Sequence, residues 1–341
     1  MGRHPFPAQL ADFLQGRLTR RRNRLVVRHL LTDCIFCLPA EQRTPSAADA
    51  YSAAFAAARK VASEAGRSFA AERAEAPELL RQIAVQPFHR QWTMVTDNLR
   101  FRTWAFCELL LDACVEWGFQ DPARALQTAR LGVATADRLD RATYGGQRVD
   151  DLRARAWATL GNAERILTDF RAAEKSFATA EKLLRSGTGD LLERARLLLL
   201  QASLSGHQQR FAEAFQLLRR VVRIGRRCGD PHLCGKALIT HGFLAAMAHE
   251  PELAIRLLQE GLPLIDPAAE PRLLVAARHN LAVGLTDSGR TREALALLEE
   301  SRPLYERLGD RMSLIRLSWL EGRIALTLGD LGRAEALLVA A

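Results

Sequence analysis

The sequence lacks the long apolar runs, catalytic motifs and lysines that would open several functional readings. No window approaches the ~18 uninterrupted apolar residues of a membrane-spanning helix. The richest stretch, Leu197 to Leu200, is bounded at once by Arg196 and Gln201, so no membrane partner is expected. The opening MGRHPFPAQLADFLQG has no apolar run of the length a secretory leader needs, and a cytoplasmic location follows as the expectation. Neither a phosphate-binding GxxxxGK nor a metalloprotease HExxH occurs, since His249-Glu250-Pro251 is not followed by a second histidine. The chain is read as a non-enzyme. Lysine is confined to Lys60, Lys175, Lys182 and Lys236, so the 48 basic residues are almost all arginine. Against 39 acidic residues they leave +9. An excess of this kind can reflect nucleic acid or acidic partners. No single arginine block dominates the chain, however, and arginines solvating helix faces account for the excess; a nucleic-acid partner is not expected. Aromatic strand formers are thin, with 3 Tyr and 5 Trp beside 14 Phe. Alanine, leucine, arginine and glutamate dominate instead, all strong helix formers, which indicates an all-α protein.

What the sequence does have is a repeat. Its clearest unit runs Trp157, Leu160, Gly161, Asn162, then Phe170, Ala173, Phe177 and Ala180. The small residue Gly161 stands twelve positions before Ala173, and the same pair recurs as Ala202 and Ala214, Gly242 and Ala254, Ala282 and Ala294, Gly322 and Ala334. The second members follow one another at 41, 40, 40 and 40 residues. An upstream copy with Ala113 and Ala125 stands 48 residues before its successor, the excess falling in a polar loop at Tyr144-Gly145-Gly146-Gln147. Turn signals separate the pair members (Ser288-Gly289-Arg290, Leu328-Gly329-Asp330) and the units (Gly187-Thr188-Gly189-Asp190, Gly229-Asp230-Pro231, Asp266-Pro267, Gly309-Asp310). Two antiparallel helices that cross closely have no room for a large side chain at the crossing, so glycine or alanine belongs there. Units of this kind cannot bury an apolar face alone and must stack.

These residues resemble the tetratricopeptide repeat family, with a period longer than its usual 34 and similar to longer-helix repeats of bacterial regulatory and signalling proteins. The resemblance spans residues 101–341 and implies a right-handed α-solenoid of about six helical hairpins. It further implies that the first helix of each hairpin lines a groove that binds a peptide or protein. Carried over, the groove positions are Arg155, Asn162, Arg165, Arg196, Lys236, Phe243, Trp319 and Arg323. Basic and aromatic groups predominate, which suits an acidic peptide: arginine forks pair with carboxylates, and Phe243 or Trp319 can anchor an apolar side chain. The family's full carboxylate clamp is not visible. At the end of the chain, Leu337, Leu338 and Val339 are expected at an open face that needs either more chain or a partner.

The first forty residues differ in kind. Thr19 can cap a helix running to about Leu31. His29, Cys34 and Cys37 form H-x4-C-x2-C, with His4 a further 25 residues upstream. Two imidazoles and two thiolates make a tetrahedral zinc set, and bound zinc is worth ~10–16 kcal/mol in small folds of this type. The Phe-Leu-x-Gly-x-Leu start at Phe13 and the His-Leu…Cys-x2-Cys end resemble the zinc-binding anti-sigma factor domain. By that resemblance His4, His29, Cys34 and Cys37 are the ligands of a structural Zn2+ ion. The His-to-Cys gap carries one extra residue, which turns the cysteine ~140° away on a continuous helix, so the helix must break near Thr32-Asp33. Without metal, residues 1–40 are a stub with two unpaired cysteines. Residues 41–100 read as a helical linker and cap, punctuated by Pro77 and Pro87, in which Phe88 and Trp92 pack on the first hairpin.

The remaining cysteines (Cys107, Cys114, Cys228 and Cys234) read as small core residues, and His241, His249 and His279 as packed or solvated. The expected function is a scaffold or regulator that binds a partner protein through the groove. An alternative from the zinc resemblance is a regulator of transcription that sequesters a sigma factor and responds to oxidation of Cys34 and Cys37. A third class is a nucleic-acid binder that uses Arg17, Arg20, Arg21, Arg22, Arg24 and Arg28.

Overall fold

A computed structural model describes residues 69–309 and 311–340, with the short stretches 7–14, 17–19, 22–23 and 25–26 before them. The chain divides into two compact units, 1–71 and 72–341. In the first, α1 is Pro7–Leu14, and the Asn23 N–H donates to the Thr19 carbonyl at 2.8 Å; most of the helix expected from Thr19 to Leu31 lies outside the described residues.

In the second unit every regular element among the described residues is helical. Residues 69–84 form α2, and Pro77 lies inside it rather than at its end; the cost is one missing backbone donor. After α3 (Phe88–Asp97) come six hairpins. They are α4–α5 (Trp104–Gln120, Pro122–Ala136), α7–α8 (Gly146–Ile166, Phe170–Ser186), α9–α10 (Leu191–His207, Phe211–Cys228), α11–α12 (Pro231–Met247, Pro251–Gly261), α13–α14 (Pro271–Asp287, Thr291–Leu308) and α15–α16 (Arg311–Thr327, Leu331–Ala340). A short α6 (Arg141–Tyr144) precedes the second hairpin. The first helices of the last four hairpins therefore start 40 residues apart. Asp121, Asp169, Asp190 and Asp230 cap α5, α8, α9 and α11 through their side chains. Pro122, Pro231, Pro251 and Pro271 open their helices, where no N–H is missed.

The small-residue pairs sit where the helices cross. A Cβ built on Gly161 falls 2.7 Å from the Phe177 ring. On Gly242 it falls 2.8 Å from Leu258 Cγ and 3.0 Å from the Ala254 carbonyl oxygen, and on Gly322 2.7 Å from Leu338 Cγ. Ala173, Ala214, Ala254, Ala294 and Ala334 are buried. Large side chains fill the flanks: Phe177 with Trp157 and Phe170 in hairpin two, and Ile255, Leu258, Leu281 and Tyr305 in one core shared by hairpins four to six.

Three expectations are corrected. In hairpin one it is Cys114, not Ala113, that meets Ala125, its thiol 3.3 Å from the Ala125 carbonyl, while Ala113 is only half-buried. The turn there is the single residue Asp121, against three residues at 208–210, so the helices meet in a different register. The presumed polar loop at 144–147 is mostly helical, and Tyr144 is buried with its hydroxyl donating to Glu72 at 2.9 Å. Cys228 is exposed at a helix end, whereas Cys107, Cys114 and Cys234 are buried. The cap forms partly as expected: Phe88 packs on a core that contains Leu79, Ile83, Phe106 and Leu110, while Trp92 stays exposed.

Five hairpin turns share one geometry. Thr168, Gln209, His249, Gly289 and Gly329 all have φ between 61° and 82°. Beyond each, the next N–H reaches back five residues, from Asp169, Arg210, Glu250, Arg290 and Asp330 to Glu164, Ser205, Ala245, Leu285 and Ala325. This is a left-handed helix stop, for which glycine is suited and a β-branched residue is strained. Thr168→Gly is therefore expected to raise the thermal midpoint by the equivalent of up to about 1 kcal/mol; an unchanged or lower midpoint contradicts strain at this turn.

Candidate functional site

Consecutive first helices pack on one another, and consecutive second helices make no contact of comparable extent. The array therefore curves with its first helices on the inner side. On each of them a stripe at i, i+4, i+7 and i+11 faces inward. In hairpin three it reads Arg196, Leu200, Ser203, His207, and in hairpin four Lys236, Thr240, Phe243, Met247, all at least partly exposed. Arg155, Asn162, Arg196, Lys236, Phe243 and Arg323 occupy this stripe. Arg165 and Trp319 lie just beside it, and each joins it through a neighbour. Arg165 donates to Asn162 Oδ1 at 2.8 Å and lies 2.8 Å from His207 Nδ1, and the Arg323 guanidinium sits 4.8 Å over the Trp319 ring.

Most of these cations are already paired, and mainly across hairpins. Arg155 bonds Glu193 of hairpin three and lies 3.5 Å from Glu108 of hairpin one. Arg196 takes the same Glu193 at 2.9 Å. Lys236 bonds Glu270 just ahead of hairpin five, and Arg323 bonds Asp287 of that hairpin. The sequence reading missed these carboxylates. Their signal was available, because Glu193 stands one helical turn before Arg196 and Asp287 ends the first helix of the hairpin preceding that of Arg323. The result is a ladder that ties neighbouring first helices together. Glu193 is its most buried member, with 8% of its side chain exposed.

Arg165 is the exception. Its partners are the neutral Asn162 and His207, and among the described residues no carboxylate pairs with it. Burial lowers its pKa. Burial, and then Arg165 itself, lowers that of His207, which keeps the imidazole neutral and able to accept from the guanidinium. On the next first helix, α11, Phe243 and Met247 present apolar surface, 40% and 37% exposed. Farther along, His279 stacks on Trp319 at 6.2 Å with its Nδ1 3.1 Å from the Tyr305 hydroxyl. Burial, with Arg316 and Arg323, pushes the His279 pKa down to about 4. Across the inner side, the Arg272 guanidinium of hairpin five lies 5.3 Å over the Phe119 ring of hairpin one. The first helices of hairpins two to four thus line a channel that is spanned at one level.

On the other side of the array, α8, α9 and α10 leave a cleft of about 870 Å³ with Phe177, Leu197, Leu204 and Leu217 among its lining and Glu174, Arg194 and Arg210 at its walls. Among the described residues no cluster of histidine, cysteine and carboxylate groups is arranged to hold a metal. His4, His29, Cys34 and Cys37 lie outside the described residues. No described helix is long and apolar enough to cross a membrane.

Because Glu193 is buried and Arg155 covers it, Arg155→Ala is expected to cost about 2 kcal/mol, the penalty of a carboxylate left short of a partner. Arg290→Ala removes only an exposed pair with Glu293 and is expected to leave the unfolding midpoint unchanged. Urea denaturation of the two variants checks this; equal effects contradict a structural ladder.

Residues 274–308 match the tetratricopeptide repeat family model. No curated protein sequence matches the chain. Solved structures with a similar fold include BtubC (BKLC) from P. vanneervenii, 17% identical with TM-score 0.54 over 65% of this chain and 89% of that one. Aspartyl phosphate phosphatase F from Bacillus subtilis is 11% identical with TM-score 0.54, over 76% of this chain and 68% of that one. The apo form of RapI is 11% identical with TM-score 0.52, over 79% and 74%. Identities this low show the fold alone. By its fold the chain is a repeat protein of stacked helical hairpins, and its residues 274–308 are similar to the tetratricopeptide repeat.

Proposed function

We propose that this chain is an interaction protein whose inner channel holds a segment of a partner protein. One observation carries the reading: exposed Phe243 and Met247 lie on the first helix that follows that of His207, the partner of Arg165, a half-buried guanidinium that no carboxylate pairs with among the described residues. Apolar surface in a concave setting, with a convergent charge beside it, is the usual composition of a recognition site. A partner segment that offers a carboxylate to Arg165 and an apolar side chain to Phe243 satisfies both. The ladder cations Arg155, Lys236 and Arg323 already have acidic partners and act mainly to fix the channel wall. Acidity of the partner then matters at one point rather than along its whole length. No reaction is part of this reading.

A library of displayed peptides screened against the full chain tests it. Enriched peptides are expected to share one apolar anchor and one nearby acidic residue. Phe243→Ala is expected to weaken the best binder at least tenfold (~1.4 kcal/mol) with no change in helical content. Absence of enrichment, or binding indifferent to Phe243→Ala, overturns the channel as the binding surface.

Zinc at His4, His29, Cys34 and Cys37 stays a proposal on donor chemistry alone, two imidazoles and two thiolates. About one zinc ion per purified chain supports it, and a zinc-free folded chain overturns it.

A further inference from the structure

The second helix of hairpin three, α10, carries Arg219, Arg220, Arg223, Arg226 and Arg227 within nine residues. At 100° per residue the five fall within an arc of about 120°, and they extend ~12 Å along the axis. The buried face of the helix is Ala214, Leu218, Val221 and Gly225, which lies opposite that arc. Four of the five are exposed and Arg220 is half-buried.

None of them makes an ion pair among the described residues, although arginines elsewhere in the array commonly do. The nearest acidic residues along the chain are engaged. Glu213 pairs with Arg210, and Asp230 caps the next helix through the Leu233 N–H. The helix C-terminus favours Arg226 and Arg227 through its dipole, but that field fades within one turn and does not account for Arg219 or Arg223. The stripe is a concentration of uncompensated charge on the side of the array away from the channel.

Its composition selects the partner. A membrane surface calls for apolar side chains next to the basic ones, and the exposed positions between the arginines and the start of the helix are Ala212, Glu213 and Gln216. A stable protein interface needs a desolvated apolar centre, and the four exposed arginines surround none; the apolar cleft of α8, α9 and α10 meets the stripe only at its edge, at Arg220. Single-stranded nucleic acid is held by stacking on aromatic rings, and the exposed face of α10 has none. What remains is a regular row of phosphates: guanidinium forks on an outward helix face match them without reading bases.

We propose that α10 docks on the phosphate backbone of a nucleic-acid duplex, independent of sequence, while the inner channel stays open to its protein partner. Fluorescence anisotropy of the full chain with a labelled 20-base-pair duplex, as DNA and as RNA of the same sequence, tests this; the two arms decide which backbone is preferred. Exchanging the four exposed arginines (Arg219→Gln, Arg223→Gln, Arg226→Gln, Arg227→Gln) is expected to weaken binding at least tenfold at 50 mM salt. The slope of log affinity against log salt for the DNA duplex should become shallower by about 3.6, roughly 0.9 for each of the four lost contacts. The thermal midpoint should fall only slightly, by the lost helix-dipole interaction of Arg226 and Arg227, since all four side chains are in solvent. The equivalent exchange at Arg20, Arg21, Arg22 and Arg24 is expected to have the smaller effect. The proposal is overturned if the chain binds neither duplex, if the α10 exchange leaves affinity and slope unchanged, or if polyglutamate or anionic phosphatidylserine vesicles bind as tightly as the duplexes.

Discussion

Two helices of a hairpin approach closely only where at least one of them has almost no side chain at the crossing. In this array that condition is met at Gly161, Ala202, Gly242, Ala282 and Gly322, each facing an alanine twelve residues on. The separation sets where the flanking leucines and aromatics interlock, and so fixes the tilt of each hairpin against the next. In hairpin four the contact is doubled, since a Cβ on Gly235 falls 3.0 Å from the Gly261 carbonyl oxygen. Side chains as large as Leu258 and Phe177 then fill the flanks at the density of a protein interior.

The functional surface follows from that packing. Because first helices stack on first helices, their outward stripes converge on the inner side. The ion pairs between hairpins are a consequence of the same register. Glu193 reaches Arg155 because equivalent helices stand side by side, and Asp287 reaches Arg323 for the same reason. Charges spent in this ladder are structural, whereas Arg165 within the channel and the α10 stripe on the outer side have no acidic partner among the described residues.

The repeat was legible because small residues recur at a fixed interval and helix breakers fall between them. The hairpin boundaries followed from Pro231, Gly289, Gly309 and Gly329. The first hairpin's register was not legible, because a one-residue turn at Asp121 shifts the crossing to Cys114, and cysteine is not marked as small by the Gly/Ala pattern. Thr168, Gln209 and His249 hid three turns, since they hold a left-handed conformation that glycine signals at the equivalent positions 289 and 329. Six of the residues that the sequence assigned to a groove fall on one stripe of the first helices. Their pairing was invisible, because it depends on carboxylates brought from other hairpins. The α10 arginines were present in the sequence from the start; what distinguished them was that five fall on one outward face of one helix with no ion pair among the described residues.

The central claim is that close crossings at the small residues hold the array together. Equilibrium unfolding of Gly242→Val beside Gly332→Ala tests it most directly. Gly242 faces Leu258 and the Ala254 carbonyl at 2.8 and 3.0 Å, whereas a Cβ at Gly332 meets nothing within 4 Å. The account predicts a loss of roughly 2–3 kcal/mol for the first, the cost of overpacking against backbone, and none for the second. Equal stability of the two variants would contradict it.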